Sequence, residues 1–289
     1  MKKRECLQEN YPEEGKKWNK SFYIINNVID GNVKICRYMN FDKFLTILDG
    51  KFYVPRKQLF LDVRESGRIN MKYRFVPCIV GENANETDDA IRKRQEEQDG
   101  YIDSLKKSRF LLTSCWARYD EEDYLMWRGY TEGVGVCVCT TINKLIDSVN
   151  FSQEEYLPVV SPMFYAKTDG WNKDFLESML TKDEYYKSEN EIRFYFVPLE
   201  DLEEKNIRNI GNVELERMLL EAAQKEESLY NTNPKSYMMS KIFSINPDFI
   251  DSVILSPNIS NASVEIFQNI IKERCRDNVK IFKSRIRLS

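Results

Sequence analysis

Within a predicted strand at 187–196, residues 191–196 alternate between polar and apolar side chains with the two-residue period of a β-strand. The apolar face carries Ile192, Phe194 and Phe196, and the polar face carries Glu189, Glu191, Arg193 and Tyr195. One apolar face and one polar face predict a half-buried strand within a sheet. Because residues two apart on a strand lie about 6.6–7 Å from each other, we expect both carboxylates to line one pocket.

The Glu189/Glu191 pair has two interpretations. Two nearby acids suit a catalytic pair, in which the environment of each carboxylate sets its role. The same spacing suits a structural ion-pair ladder, in which Arg193 neutralises Glu191. The sequence leaves both interpretations open.

The chain contains no histidine, the usual general base near neutral pH and the commonest metal ligand. Ser-His-Asp and Cys-His hydrolysis, His-Glu-x-x-His zinc sites and histidine-containing deaminase sites therefore cannot be built within this chain. Any reaction must rest on carboxylates, tyrosines, lysines or a cosubstrate.

Composition bounds the class of protein. The chain has 289 residues, of which 42% are hydrophobic and 31% charged, enough to bury a full core in one large domain or two intimate ones. A formal net charge of -3 gives no general attraction to nucleic acid or to an anionic membrane. No apolar run reaches 18 residues and the first residues are polar, so we expect a cytoplasmic protein with no membrane partner.

The seven cysteines do not follow a disulfide or zinc pattern. Cys137-x-Cys139 has no second pair at ligand spacing and no histidine to complete a site. We therefore expect reduced thiols and no bound metal.

The periodicity along the chain predicts an α+β fold with a mixed, largely antiparallel sheet core and helical decorations. Strands are predicted at 33–39, 51–54, 110–116, 133–140, 162–166, 187–196, 253–255 and 279–282. Helices are predicted at 41–48, 88–98, 123–130, 173–180, 213–228 and 262–274. The last strand, helix and strand predict a crossover unit at the end of the main sheet. We divide the chain into an entry segment (1–30), a main core (31–198) and a C-terminal section packed on it (199–289).

Five short motifs follow one another along most of the chain. They are Met126-Trp127-x-x-Tyr130, Gly133-x-Gly135-Val136-Cys137, Lys187-x-Glu189-x-Glu191-x-Arg193, Val253-Ile-Leu-Ser-Pro257 and Val279-Lys-Ile-Phe-Lys-Ser284. In this order they resemble the bacterial domain-of-unknown-function family numbered 2971, which implies a bacterial or phage origin and no settled activity. The family's Asn-Asp-Pro element is replaced here by residues 59–65, in which Asp62 and Glu65 are the matching acids.

Three polar elements fall in a second recognisable order. Arg37 lies on the first strand of the core, Thr113-Ser114 on a middle strand and Glu189-x-Glu191 on a late strand. This order is similar to that of ADP-ribosyltransferases of the Arg-Ser-Glu type, which implies the same sheet arrangement and NAD as cosubstrate. The resemblance implies that Arg37 binds the pyrophosphate and that Thr113 and Ser114 position the dinucleotide.

The same resemblance assigns the chemistry to the carboxylates. Glu191 stabilises the oxocarbenium character that develops at the ribose, and Glu189 orients or deprotonates an acceptor, which is a protein or a nucleic acid. The remaining candidate NAD-binding residues are Tyr38, Trp127, Tyr130 and Arg193, of which the aromatic ones stack on nicotinamide or adenine. This mechanism requires Arg37 and Glu191 to face the same cleft.

Plainer interpretations and two other functions remain open. Arg37 also suits an ion pair, and Trp127 and Tyr130 at i,i+3 spacing suit a packed aromatic pair. A second function is a non-catalytic nucleotide- or partner-binding module in a bacterial defence or toxin–antitoxin context. A third is a magnesium-dependent hydrolase or nuclease, whose ligands would be Asp62, Glu65, Glu189 and Glu191. The oligomeric state does not follow from the sequence.

Overall fold

The computed structural model describes residues 23–24, 29–60, 88–131, 133–150, 156–166, 175–198, 212–275 and 279–286. The strands are β1 (Tyr23–Ile24), β2 (Lys34–Asn40), β3 (Lys51–Pro55), β4 (Leu112–Arg118), β5 (Gly135–Thr141), β6 (Val149–Asn150), β7 (Tyr156–Pro162), β8 (Phe164–Ala166), β9 (Thr181–Asp183), β10 (Glu191–Pro198), β11 (Ser240–Ile245), β12 (Ser252–Leu255) and β13 (Lys280–Lys283). The helices are α1 (Phe41–Leu48), α2 (Asp88–Ser108), α3 (Tyr124–Tyr130), α4 (Ile142–Ser148), α5 (Phe175–Leu180), α6 (Asn212–Thr232) and α7 (Asn261–Arg274).

An eight-stranded sheet organises the described residues, with strand order β1-β7-β10-β4-β2-β5-β12-β13. All neighbouring pairs are antiparallel except β1–β7 and β12–β13, which are parallel. This mixed, largely antiparallel sheet confirms the predicted α+β class. The predicted crossover unit is also confirmed, because β12, α7 and β13 follow one another and place two parallel strands at the edge of the sheet.

Two smaller sheets accompany the main one. Strands β3, β11 and β6 form a three-stranded antiparallel sheet, and β8 and β9 form a parallel pair. Strands β7 and β11 and helix α4 were largely absent from the sequence-based assignment, and α2 runs ten residues beyond its predicted end.

Helix α1 shows how local sequence sets these elements. The side chain of Asn40 caps the helix by accepting a hydrogen bond of 3.1 Å from the Lys43 backbone N–H. One face of the helix packs into the core through Phe44, Ile47 and Leu48. Gly50 follows the helix with φ of +75°, a left-handed conformation that glycine adopts without steric cost.

The central strands of the main sheet are buried on both faces. Strand β10 sends Ile192, Phe194 and Phe196 into the largest apolar cluster, which also contains Trp116, and we call this side the Trp116 face. The opposite side, the Glu191 face, carries two smaller apolar clusters. Side chains of α5 and α6 pack on it around Tyr195. Burial runs from Glu191 to Val197 without interruption, so the prediction of a half-buried strand is wrong.

The described cysteines are free thiols, in agreement with the sequence. Cys36, Cys137 and Cys139 lie in the apolar cluster that surrounds Trp127. Among the described residues, no helix combines the length and the apolar character needed to span a bilayer.

Candidate functional site

Glu189 and Glu191 meet at the ammonium group of Lys182. Lys182 Nζ lies 2.5 Å from Glu189 Oε2 and 3.2 Å from Glu191 Oε2. Both carboxylates therefore lie within a few ångströms of each other at one place. Glu191 is buried, however, and only Glu189 lines the open recess described below, so, contrary to the prediction, the two acids do not line one pocket. Lys182 itself was not identified from the sequence, because it belongs to β9 of the small parallel sheet and no local motif relates it to the two acids.

Glu189 does not reach this place along a strand, so the prediction that both acids lie on one strand face is wrong. A 3-10 helix runs from Glu184 to Glu189, and β10 begins only at Glu191. Between them, Asn190 has a left-handed backbone with φ of 43°. Asparagine tolerates this conformation better than most residues, and the turn redirects the chain between the two acids.

Glu191 is held in a buried ion pair. Arg193 Nε donates to Glu191 Oε1 at 2.5 Å, and Arg193 Nη2 donates to Oε2 at 3.0 Å. Only 6% of the Glu191 side chain and 1% of the Arg193 side chain are exposed. Burial alone raises the pKa of the Glu191 carboxyl, but Arg193 and Lys182 outweigh burial and hold the pKa at about 2. The structural ion pair expected from the sequence is confirmed, and both carboxylate oxygens bind cations.

Glu189 is the more accessible carboxylate. It accepts a hydrogen bond of 3.0 Å from the Tyr130 hydroxyl in addition to its contact with Lys182. Its side chain is 16% exposed, and burial raises its pKa although Lys182 opposes the shift. Burial likewise raises the pKa of the Tyr130 phenol. The pKa values of the two acids are thus displaced in opposite directions.

Arg37 lies on the other face of the sheet from Glu191. Ala117 of β4 pairs with both Glu191 and Cys36, and residues paired across strands share a face. Because successive residues alternate, Arg37 points to the Trp116 face. There its Nη1 donates to Ser114 Oγ at 3.2 Å, and its guanidinium lies 6.0 Å from the centroid of the Trp116 ring. The prediction of one cleft shared by Arg37 and Glu191 is therefore wrong.

The surroundings of Arg37 also differ from the plainer interpretation. Within the described part of the chain, no carboxylate pairs with it, and its polar contact is the Ser114 hydroxyl. Burial lowers the pKa of this guanidinium.

Thr113 and Ser114 also point to different faces. Thr113 pairs with Tyr195 on the Glu191 face, whereas Ser114 pairs with Phe194 on the Trp116 face. Both side chains are fully buried. Thr113 Oγ1 donates to the Leu111 carbonyl at 3.2 Å, and Ser114 Oγ accepts from Trp116 as well as from Arg37. The resemblance implied that both residues position one dinucleotide, but their side chains point to opposite faces of the sheet.

Trp127 packs inside the protein and not on an open platform. Its ring meets that of Tyr38 edge-on, with centroids 4.9 Å apart and an interplanar angle of 88°. Trp127 Nε1 donates to Glu122 Oε2 at 3.2 Å, and the Tyr38 hydroxyl accepts from the Asp123 N–H at 3.0 Å. The packed-aromatic interpretation is confirmed for Trp127, although its partner is Tyr38 and not Tyr130.

A recess of about 200 Å³ opens beside Glu189, and we call it the acidic recess. Its charged lining is Arg118, Asp120, Glu121, Glu122, Asp123 and Glu189. Asp123 caps α3 by accepting from the N–H groups of Leu125 and Met126 at 2.6 and 3.0 Å. Five carboxylates line the recess against the Arg118 guanidinium and the Lys182 ammonium that contacts Glu189, which leaves an excess of negative charge.

A metal centre finds no support in the described residues. Among them, no group of three or more histidine, cysteine, aspartate or glutamate side chains has an arrangement that could hold a metal ion. Asp62 and Glu65, two ligands of the magnesium hypothesis, lie outside the described residues.

Searches with family models, curated protein sequences and solved structures found no match to this chain. The resemblances to family 2971 and to ADP-ribosyltransferases remain predictions from the sequence.

Proposed function

We propose that this protein is a partner-binding module that uses the surface around Glu189. Three exposed tyrosines lie on the elements that meet at this acid, and we call them the aromatic edge. They are Tyr130, Tyr185 and Tyr186, with exposed fractions of 46%, 87% and 39%. This group of exposed rings is the observation that carries the proposal.

The aromatic edge is built around one ion network. The Tyr130 hydroxyl donates to Glu189, and the Tyr186 ring centroid lies 4.5 Å from Lys182 Nζ. Tyr185 precedes Tyr186 in the 3-10 helix that ends at Glu189. The three rings therefore belong to one region of the surface.

Exposed aromatic rings supply contact area at low conformational cost, and tyrosine is enriched at the energetic centres of interfaces. A group of exposed apolar surfaces beside polar groups is typical of an interaction site. The buried network of Lys182, Glu191 and Arg193 gives this surface a rigid base. Catalysis by Glu191 is less well supported, because both of its oxygens already bind cations.

The test is a selection from a displayed library of random peptides on the wild-type protein. Each enriched peptide is then measured against the double variant Tyr185→Ser/Tyr186→Ser. The matched control is Tyr53→Ser, which removes a tyrosine about as exposed as Tyr186 from the three-stranded sheet. We expect enriched peptides to lose at least about tenfold in affinity on the double variant, about 1.4 kcal/mol, and to keep their affinity for the control. Peptides that bind all three proteins equally would overturn the proposal.

NAD cleavage by the two carboxylates is a second candidate, without the Arg37 contact that the resemblance implied, because Arg37 lies on the other face of the sheet. The opposite displacement of the two carboxyl pKa values favours it. Such displacement separates the proton-transfer role of one acid from the ionised role of the other. Glu189 would then exchange a proton with the acceptor, and Glu191 would face the developing cation. The assay is nicotinamide release from NAD by the wild type, Glu189→Gln and Glu191→Gln. If the wild type releases nicotinamide no faster than a solution without protein, this candidate is ruled out.

A further inference from the structure

We infer that the partner of the aromatic edge is a polypeptide segment rich in arginine or lysine. This inference rests on the proposed function and adds the chemistry of the partner. The aromatic edge and the acidic recess share Glu189, so one bound segment contacts both. Three features of this surface favour such a partner: the charge of the recess, its volume and the Lys182 ammonium already bound there.

Charge complementarity selects the sign of the partner. Five carboxylates and one guanidinium line the recess. The guanidinium belongs to Arg118, whose Nε lies 3.8 Å from Asp120 Oδ1. Half or more of both side chains is exposed, so the Asp120 carboxylate remains open to solvent. A cationic segment is attracted to this field, whereas a pyrophosphate or a nucleic acid is repelled by it.

The size of the recess selects a side chain over a whole small molecule. Its volume of about 200 Å³ lies below the roughly 300–1,000 Å³ of sites that enclose a small-molecule ligand. One long basic side chain entering the recess leaves the rest of its chain on the surface. The aromatic edge lies where that remainder continues.

Lys182 shows within the protein how this surface holds a cation. Its ammonium contacts the carboxylates of Glu189 and Glu191 and lies 4.5 Å from the centroid of the Tyr186 ring. A cation between carboxylates and over a ring face gains both ion pairing and cation–π attraction. Tyr130 and Tyr185 present further ring surface beside Glu189, so an external arginine or lysine can meet the same combination of groups.

Part of the recess is already ordered for binding. Glu122 accepts hydrogen bonds from Trp127 Nε1 at 3.2 Å, from Ser284 Oγ at 2.5 Å and from the Arg285 N–H at 3.0 Å. Glu122 is held by these hydrogen bonds and Asp123 by its capping of α3, so both carboxylates add to the negative potential of the recess without moving. Asp120 and Glu121 are left as the carboxylates that a partner contacts directly.

The experiment measures the binding of a fluorescent arginine-rich peptide by anisotropy. Peptides of equal length, in which glutamine or glutamate replaces every arginine, serve as comparisons. We expect the arginine peptide to bind at least about tenfold more tightly than the glutamine peptide, and added salt to weaken it. The double variant Asp120→Asn/Glu121→Gln should lose several-fold in affinity. Asp103→Asn, which removes an exposed carboxylate from α2, should not.

Failure of this inference differs from failure of the proposed function. Equal affinity of the three peptides, or no saturable binding of the arginine peptide, overturns the inference. If the library still yields neutral or acidic peptides that require Tyr185 and Tyr186, the partner-binding function stands with a different partner. If no selected peptide requires the aromatic edge, the function itself is refuted.

Discussion

Glu191→Gln is expected to destabilise the fold strongly, because it removes the carboxylate that two buried cations contact. Arg193 and Lys182 are 1% and 7% exposed and both lie against Glu191. A neutral amide keeps the shape of the side chain but not its charge. The variant therefore leaves positive charge in a poorly solvated place.

Two routes give the same magnitude. Removing one partner of a buried ion pair costs about 3–5 kcal/mol. Independently, a carboxyl whose pKa is about 2 in the fold, against an ordinary value of 4.5, contributes about 3 kcal/mol at neutral pH. Each kcal/mol lowers the melting temperature of a chain of this size by about 2–4 °C, so we expect a loss of about 10 °C.

The assay is urea unfolding of both proteins over a pH series, with calorimetry at neutral pH. Because the folded pKa of Glu191 is lower than the unfolded one, its contribution is fully present above about pH 4.5. It is lost as the pH falls to about 2. The wild type should therefore lose about 3 kcal/mol more than Glu191→Gln across this window.

Two further variants separate charge from packing. Glu191→Met/Arg193→Met replaces the pair with apolar groups and should recover most of the loss. Glu189→Gln should cost only about 1 kcal/mol, because Lys182 keeps its contact with Glu191 and burial already disfavours the charge of Glu189. The reasoning is refuted if Glu191→Gln unfolds within about 1 kcal/mol of the wild type at neutral pH.

Three local predictions can be checked by urea unfolding. Gly135→Ala should cost about 1–3 kcal/mol, because the added carbon would lie 2.2 Å from the Met39 carbonyl oxygen. In Gly129→Ala the added carbon meets nothing within 4 Å, so this variant should stabilise α3. Equal effects of the two variants on the free energy of unfolding would contradict this reasoning. Asp123→Ala should cost about 1 kcal/mol by removing the cap of α3, and Asp123→Asn should keep most of the stability that the cap provides. Asn190→Ala should cost about 1–2 kcal/mol and Asn190→Gly almost nothing, because the backbone there is left-handed; an equal cost would argue against strain.

Local periodicity was sufficient for the elements near the site. The alternation of residues 191–197 assigned Ile192 and Phe194 to one face and Glu191 and Arg193 to the other, because successive strand side chains point in opposite directions. It failed at Glu189, where the left-handed turn before the strand breaks the two-residue period. It also failed to show that the polar face is buried, since α5 and α6 cover it from other parts of the chain.

Strand β11 shows a second limit of predicting secondary structure from local sequence. It pairs with β3, which lies almost two hundred positions earlier in the chain, and buries only part of its short length. Its six residues carry too few side chains for a strong period, so pairing with a distant strand decides its conformation. Lys182 entered the site in the same way, through a strand that the local pattern did not single out.

By itself, the sequence determined the α+β class, the faces of β10 and the exclusion of histidine chemistry, because each depends on residue type or on spacing along one segment. Only the tertiary structure decided that Arg37 and Glu191 lie on opposite faces, that Glu191 is neutralised by Arg193, that Lys182 joins the two acids and that tyrosines from separate elements meet near Glu189. These relations depend on which strands pair and in what register. That choice follows from the packing of the whole chain and not from any local run of residues.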